Sequence, residues 1–115
     1  MIEVNALFNN NFNSQHLVCK LRDDGRMMGS CICTVYHNGQ ARVMLVDSVF
    51  VGEPFRRNGY GEELVTKALE LADLLGVDSV ELVVNRDNGA ARGLYSKMGF
   101  EETDKIYCRK LLNLK

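Results

Sequence analysis

A glycine-punctuated turn, Arg56-Arg57-Asn58-Gly59-Tyr60-Gly61, joins a run that reads as a buried strand to a run that reads as an amphipathic helix. Upstream, Val43 to Val51 is β-branched and apolar, its alternation broken only at Asp47 and Ser48. Downstream, Leu64, Val65, Ala68, Leu69, Leu71, Ala72 and Leu75 recur at helical spacing until Gly76 ends the pattern. A chain passing from strand to helix through so short a turn aims several backbone N–H groups at one point, where the helix dipole adds partial positive charge. That suits a phosphate or pyrophosphate. Gly59 and Gly61 let the backbone approach such an anion with no Cβ in the way, and Arg56 and Arg57 add positive charge. By itself the turn also fits a purely steric use of glycine. It is neither a Walker A loop, since no Gly-Lys-Ser/Thr follows, nor G-x-G-x-x-G, since the spacing after Gly61 differs.

The rest of the chain reads as a meander leading into this turn and a crossover leading out of it. Leu17 to Arg22 is a short strand, Asp24-Gly25 a tight turn, and Met27 to Tyr36 a second strand. Asn38-Gly39 marks a hairpin, and Ala41 to Val51 is the third strand. The Met1 to Phe8 segment is a candidate short strand, and Asn9-Asn10-Asn11-Phe12-Asn13 reads as a loop. Beyond the helix, Ser79 to Asn85 is a second buried strand, paired parallel to its predecessor through a crossover. A shorter helix from about Asn88 to Met98 ends at Gly99, suited to a C′ position. Lys105 to Leu112 alternates as a last strand. The expected fold class is α/β: one mixed β-sheet, an antiparallel meander plus a parallel crossover strand, flanked by helices. With 115 residues, no repeat and no internal boundary, a single domain spanning 1–115 is expected.

Fourteen Lys+Arg against fifteen Asp+Glu leave a formal charge of −1, which gives no electrostatic case for nucleic acid or a membrane surface. The N-terminus lacks a signal-peptide pattern and no segment reaches membrane-spanning length, so a cytoplasmic location is expected. Cys19, Cys31, Cys33 and Cys108 sit in apolar, strand-like runs, with Cys31 and Cys33 on one face of a regular strand. No Cys-x-x-Cys and no histidine at ligand spacing accompanies them, so buried reduced thiols and no metal are expected. His16 and His37, near a loop start and a hairpin tip, receive no role.

Two segments in order carry a family resemblance. Arg56-x-x-Gly59-x-Gly61 resembles the R/Q-x-x-G-x-G/A acyl-CoA-binding motif of the GNAT superfamily of N-acetyltransferases. Asn88-x-x-Ala91-x-x-Leu94-Tyr95-x-Lys97-x-Gly99-Phe100 resembles the N-x-x-A-x-x-L-Y-x-K-x-G-F segment of the same superfamily. The resemblance implies a GNAT-like sheet, acetyl-CoA as co-substrate, no metal, and transfer to a primary amine by direct attack in a ternary complex. It also implies cofactor contacts. Backbone groups of Val49, Phe50 and Val51 would pair with pantetheine amides while their side chains fill the core. Arg56, Arg57, Asn58, Gly59, Tyr60 and Gly61 would hold the pyrophosphate, and Asn88 and Tyr95 would lie along the arm. Arg92 and Lys97 are further cations for the phosphates, with plain solvation as their other reading. GNAT proteins usually place a strand and two helices before the meander. Here only Met1 to Gln15 precedes it, which abbreviates the acceptor wall, and a homodimer is a natural way to complete it.

The reaction sets the remaining demands. An aliphatic amine has a pKa near 10, so forming the nucleophile at pH 7 costs on the order of 4 kcal/mol. A base or water relay must take that proton, an N–H donor must meet the oxyanion, and an acid must meet the departing thiolate. The resemblance assigns the acid to Tyr95, which otherwise reads as a core tyrosine sharing a face with Ala91, Leu94 and Met98. Asp47, interrupting an apolar strand just before the turn, is the candidate base, with partial desolvation expected to tune it. Glu81 and Glu53 are weaker candidates. The alternative reading of the whole chain is a catalytically silent acyl-CoA-binding or regulatory module of the same fold.

Overall fold

A computed structural model describes residues 2–9 and 14–113. They fall in two compact units, Met1–Val83 and Val84–Lys115. No described helix is long and apolar enough to cross a membrane.

The first unit is a five-stranded sheet in the order β1-β2-β3-β4-β5, with one helix packed on it. Its strands are β1 (Ile2–Asn9), β2 (Ser14–Asp23), β3 (Arg26–His37), β4 (Arg42–Val51) and β5 (Ser79–Leu82). The meander has four strands rather than three, because β1 pairs antiparallel with β2 from Ile2↔Leu21 to Asn9↔Ser14. Asn9 therefore ends a strand instead of opening a loop, and the rest of that expected loop, 10–13, lies outside the described residues. The β2–β3 hairpin closes through Asp24 (φ 49°) and Gly25 (φ 78°), the paired left-handed conformation that matches sheet twist. At the next hairpin the Asn38 side-chain oxygen accepts from the amides of Gln40 and Ala41, both at 2.9 Å, while His37 Nδ1 accepts from Gly39.

Helix α1 (Tyr60–Leu74) carries the chain from β4 to β5, which pairs parallel to β4 from Val43↔Ser79 to Val46↔Leu82. Leu64, Val65, Ala68 and Ala72 are its buried positions. Gly76 (φ 66°) ends it: Gly76 N donates to Asp73 O and Val77 N to Ala72 O, the Schellman pattern. The core beneath α1 is formed by Leu17, Cys19, Leu21, Met28, Cys31, Cys33, Val35, Met44 and Val46, with Leu64, Ala68 and Ala72 from the helix. Hydrogen bonding to the other two sulfurs, followed by burial, pushes the Cys31 thiol up, while at Cys19 hydrogen bonds from Cys31 and Cys33 lower the thiol against the opposing effect of burial. Cys108, expected with these in a buried strand, is exposed.

The second unit holds α2 (Gly89–Lys97) and the segment after it. Asn88 caps α2 by accepting from Ala91 N at 3.2 Å, as its position suggested. Residues 101–111 form no strand, against the expectation from their alternation. Alternation specifies a strand only where a neighbouring strand takes its hydrogen bonds and a core takes one face. Here Ile106 and Leu112, apolar positions of that alternation, are 85% and 79% exposed.

Candidate active site

Within the first unit the site is built where β4 outruns its parallel neighbour. Pairing with β5 ends at Val46↔Leu82, three residues short of the expected strand end at Asn85, and β4 runs on to Val51. A β-bulge begins just past that point. The β3–β4 register passes from Ile32↔Asp47 directly to Ser30↔Phe50, so Ser48 and Val49 together oppose Cys31. Ser48 sits at φ 54°, a left-handed conformation costly for a residue with a Cβ. The extra residue also flips the strand's parity. Before it Met44 and Val46 enter the core, and after it Val49 and Val51 pack there. Phe50 is thereby turned outward and is 54% exposed, so its side chain is not the core residue expected.

Asp47, at the bulge, is exposed rather than partly desolvated. Glu81 opposes Leu45 on β5 and is exposed, as is Glu53 in the short 3-10 turn Glu53–Phe55. By strand alternation Asp47 and Glu81 lie on the sheet face opposite the one α1 covers.

The turn between β4 and α1 is braced by its own side chains. Arg56 Nε donates to Val51 O at 2.9 Å, tying the turn to the end of β4. Asn58 Nδ2 donates to Phe55 O and Arg56 O, and Arg57 takes φ 67°. The Arg26 guanidinium lies 5.4 Å from the Phe55 ring centroid. Gly59, at φ 79°, is the N-cap of α1, and no side chain caps that end. Two glycines of the motif thus differ in what the fold asks of them. Gly59 is demanded by its backbone conformation. A Cβ on Gly61 would meet only Val51 Cγ2, at 4.0 Å, so the fold itself leaves room there for a side chain. The same distance shows that the helix start lies against the end of β4.

One further glycine was missed. A Cβ on Gly29 would lie 2.7 Å from Phe50 O and 3.2 Å from Leu64 Cδ1, so only glycine lets β4 and α1 close together there. Nothing in the flanking Met28 and Ser30 signals this, because the constraint arises from residues more than twenty positions away in sequence.

In the second unit, Gly99 N donates to Ser96 O and Phe100 N to Tyr95 O, closing α2 in a Schellman motif about Gly99 at φ 96°. The half-buried Tyr95 ring meets Phe100 edge-on, centroids 5.9 Å apart. Arg92 is committed within this unit: it grips Glu102 through two 2.8 Å bonds and reaches Arg86 O. The bond from Arg92 holds the Glu102 carboxyl below its ordinary range.

The first unit is thus a mixed sheet whose fourth strand bulges and outruns a parallel fifth, with a glycine-capped helix starting beside it. The sequence model of the Acetyltransferase (GNAT) family matches residues 2–100, and the chain belongs to that family. It is 35% identical over 92 residues to an uncharacterised N-acetyltransferase of Methanocaldococcus jannaschii, covering 77% of this chain and 40% of that protein. It is 28% identical over 83 residues to an N-alpha-acetyltransferase of Arabidopsis thaliana, covering 72% of this chain and 44% of that one. The chain thus spans less than half the length of these curated relatives. Among solved structures, glucosamine-6-phosphate N-acetyltransferase from Arabidopsis thaliana superposes with a TM-score of 0.76 at 17% identity, over 85% of this chain and 67% of that one. An aminoglycoside N-acetyltransferase in complex with CoA gives a TM-score of 0.71 at 22% identity, over 84% and 77%.

Proposed function

We propose that the chain is a single N-acetyltransferase domain, 1–115, that moves an acetyl group from acetyl-CoA to a primary amine by direct attack in a ternary complex. The observation that carries this reading is the meeting of an open strand edge, Asp47–Val51 beyond the reach of β5, with the glycine-capped start of α1. An exposed strand edge is a template for another extended amide chain, which pantetheine is. The backbone of Val49, Phe50 and Val51 supplies that edge. An uncapped helix N-terminus receives the pyrophosphate, with Gly59, Tyr60 and Gly61 offering N–H groups and Arg57 a flanking charge. Arg56 and Asn58 act chiefly by holding the turn in shape through their bonds to backbone oxygens. That Gly61 is free to carry a side chain and does not supports a ligand's close approach as its reason.

The chemistry follows from the family motif. The amine lone pair attacks the thioester carbonyl, the tetrahedral intermediate collapses, and the C–S bond breaks. Tyr95 gives its proton to the leaving thiolate, and Asn88 fixes the start of the helix that bears Tyr95. Asp47 takes the ammonium proton, directly or through water, its exposure fitting a base that exchanges with bulk solvent. We place the reaction in the cytoplasm, carried out by a homodimer of the chain. Thiol release from acetyl-CoA across a panel of polyamines, amino sugars, amino acids and peptide N-termini tests the reading. Amine-dependent release supports it; tight acetyl-CoA binding with no release from any amine would leave a silent binding module.

A further inference from the structure

Three of the four cysteines, scattered in sequence, converge under α1. Cys19 and Cys31 face each other directly in the β2–β3 register, and Cys33 lies two residues along the same face as Cys31. The three sulfurs are within 4.8 Å of one another, all are free, and each residue is 0% exposed. Leu17, Leu21, Met44, Leu64 and Ala68 surround them in one apolar cluster. No polar or charged residue is buried among the described residues, so no side-chain nitrogen or oxygen donor joins the three sulfurs.

We propose that Cys19, Cys31 and Cys33 form a three-sulfur site for a trivalent thiophilic metalloid of the arsenic(III) class. Three features select this chemistry. Three sulfurs within 4.8 Å of one another, with no side-chain oxygen donor buried beside them, disfavour hard cations, which need carboxylate, carbonyl or water oxygens. The lack of a histidine, carboxylate or fourth cysteine in the buried core of the described residues disfavours zinc, which takes four-coordinate tetrahedral geometry with such ligands in closed sites. Zinc on three thiolates would also leave a net negative charge in an apolar core, where an uncompensated charge is strongly penalised. Arsenic(III) bonds three sulfurs as a pyramid and leaves no charge. The reaction is a condensation: As(OH)3 and three thiols give As(SR)3 and three waters, so three S–H and three As–O bonds break and no atom changes oxidation state. Strand register pre-places the sulfurs within 4.8 Å of one another.

Because the sulfurs are sealed from solvent, the test loads them during folding. The chain is refolded with arsenite under a phosphine reductant, desalted, and weighed by native mass spectrometry. The expected product carries one arsenic in place of three hydrogens and melts at a higher temperature than the free protein. Cys108→Ser retains the arsenic; Cys31→Ala loses retention roughly tenfold or more, the scale on which even outer-shell changes weaken a metal site. X-ray absorption on the wild-type complex decides the case if Cys31→Ala does not fold: three sulfur neighbours support the site, and oxygen neighbours overturn it. Failure to retain arsenic, equal retention by Cys31→Ala, or preferential loading of zinc from an equimolar mixture would each overturn it too.

Discussion

The Tyr95 ring meets Phe100 edge-on at 5.9 Å, across the backbone bond that Phe100 N makes to Tyr95 O at 2.9 Å. One residue pair thus closes α2 and packs the ring of the proposed acid. Tyr95→Phe therefore removes the proton donor and keeps the ring contact. The expected result is a fall in kcat of roughly a hundredfold or more with acetyl-CoA affinity unchanged. Steady-state thiol release beside calorimetric titration checks it, and undiminished kcat would take Tyr95 out of the mechanism.

The bulge is the next point of leverage. Ser48 holds φ 54° at a position where a bulky β-branched residue meets steric conflict. Ser48→Gly keeps the bulge and relieves that conflict, so it leaves stability equal or slightly raised. Ser48→Val destabilises by about 1–2 kcal/mol. Urea unfolding of the two variants against wild type measures the difference, and equal stability of all three would remove the bulge from the account.

Gly29 makes a prediction opposite to that for Gly61. A methyl at Gly29 would lie 2.7 Å from Phe50 O, so Gly29→Ala forces β4 to shift at the strand edge proposed for pantetheine. A loss of about 1–3 kcal/mol in stability is expected, together with weakened acetyl-CoA binding. Thermal unfolding and calorimetry on the same sample test both halves.

Glu102 makes part of the second unit's order pH-dependent. Its carboxyl is held below the ordinary range by the bond from Arg92, so it binds a proton less readily folded than unfolded. The stabilisation is complete above the unfolded pKa of about 4.3 and is lost as pH falls through the lower folded value. Amide protection in residues 84–113 should therefore decline on acidification below about pH 4, and Glu102→Gln should flatten that decline. An identical acid profile in the variant would show that the pair contributes nothing.

Local chemistry made much of this fold legible in the sequence. Gly76 and Gly99 end helices where a left-handed residue was needed, and Asn88 caps one through its own side chain. The strand-to-helix turn and the parallel partner of β4 follow from periodicity. The interrupted alternation at Asp47 and Ser48 was visible as well, but a break in pattern marks a bulge and a functional carboxylate alike. Register showed which backbone residue was extra. The last strand failed because alternation in residues 105–112 describes a face without supplying a neighbour to bury it. Gly29 and the three cysteines were hidden for a common reason. Their constraints come from strand register and helix packing, which no local spacing encodes.

The central claim is that the start of α1 binds the pyrophosphate of acetyl-CoA. Calorimetric titration with acetyl-CoA, wild type beside Gly61→Glu, tests it most directly, because a Cβ at that position meets nothing closer than 4.0 Å and the substitution brings a negative charge to the anion's place. Micromolar binding to wild type is expected, with its loss in a variant of unchanged melting temperature. Equal binding by both would place the cofactor elsewhere, and no binding to the folded wild type would contradict the acetyl-CoA reading.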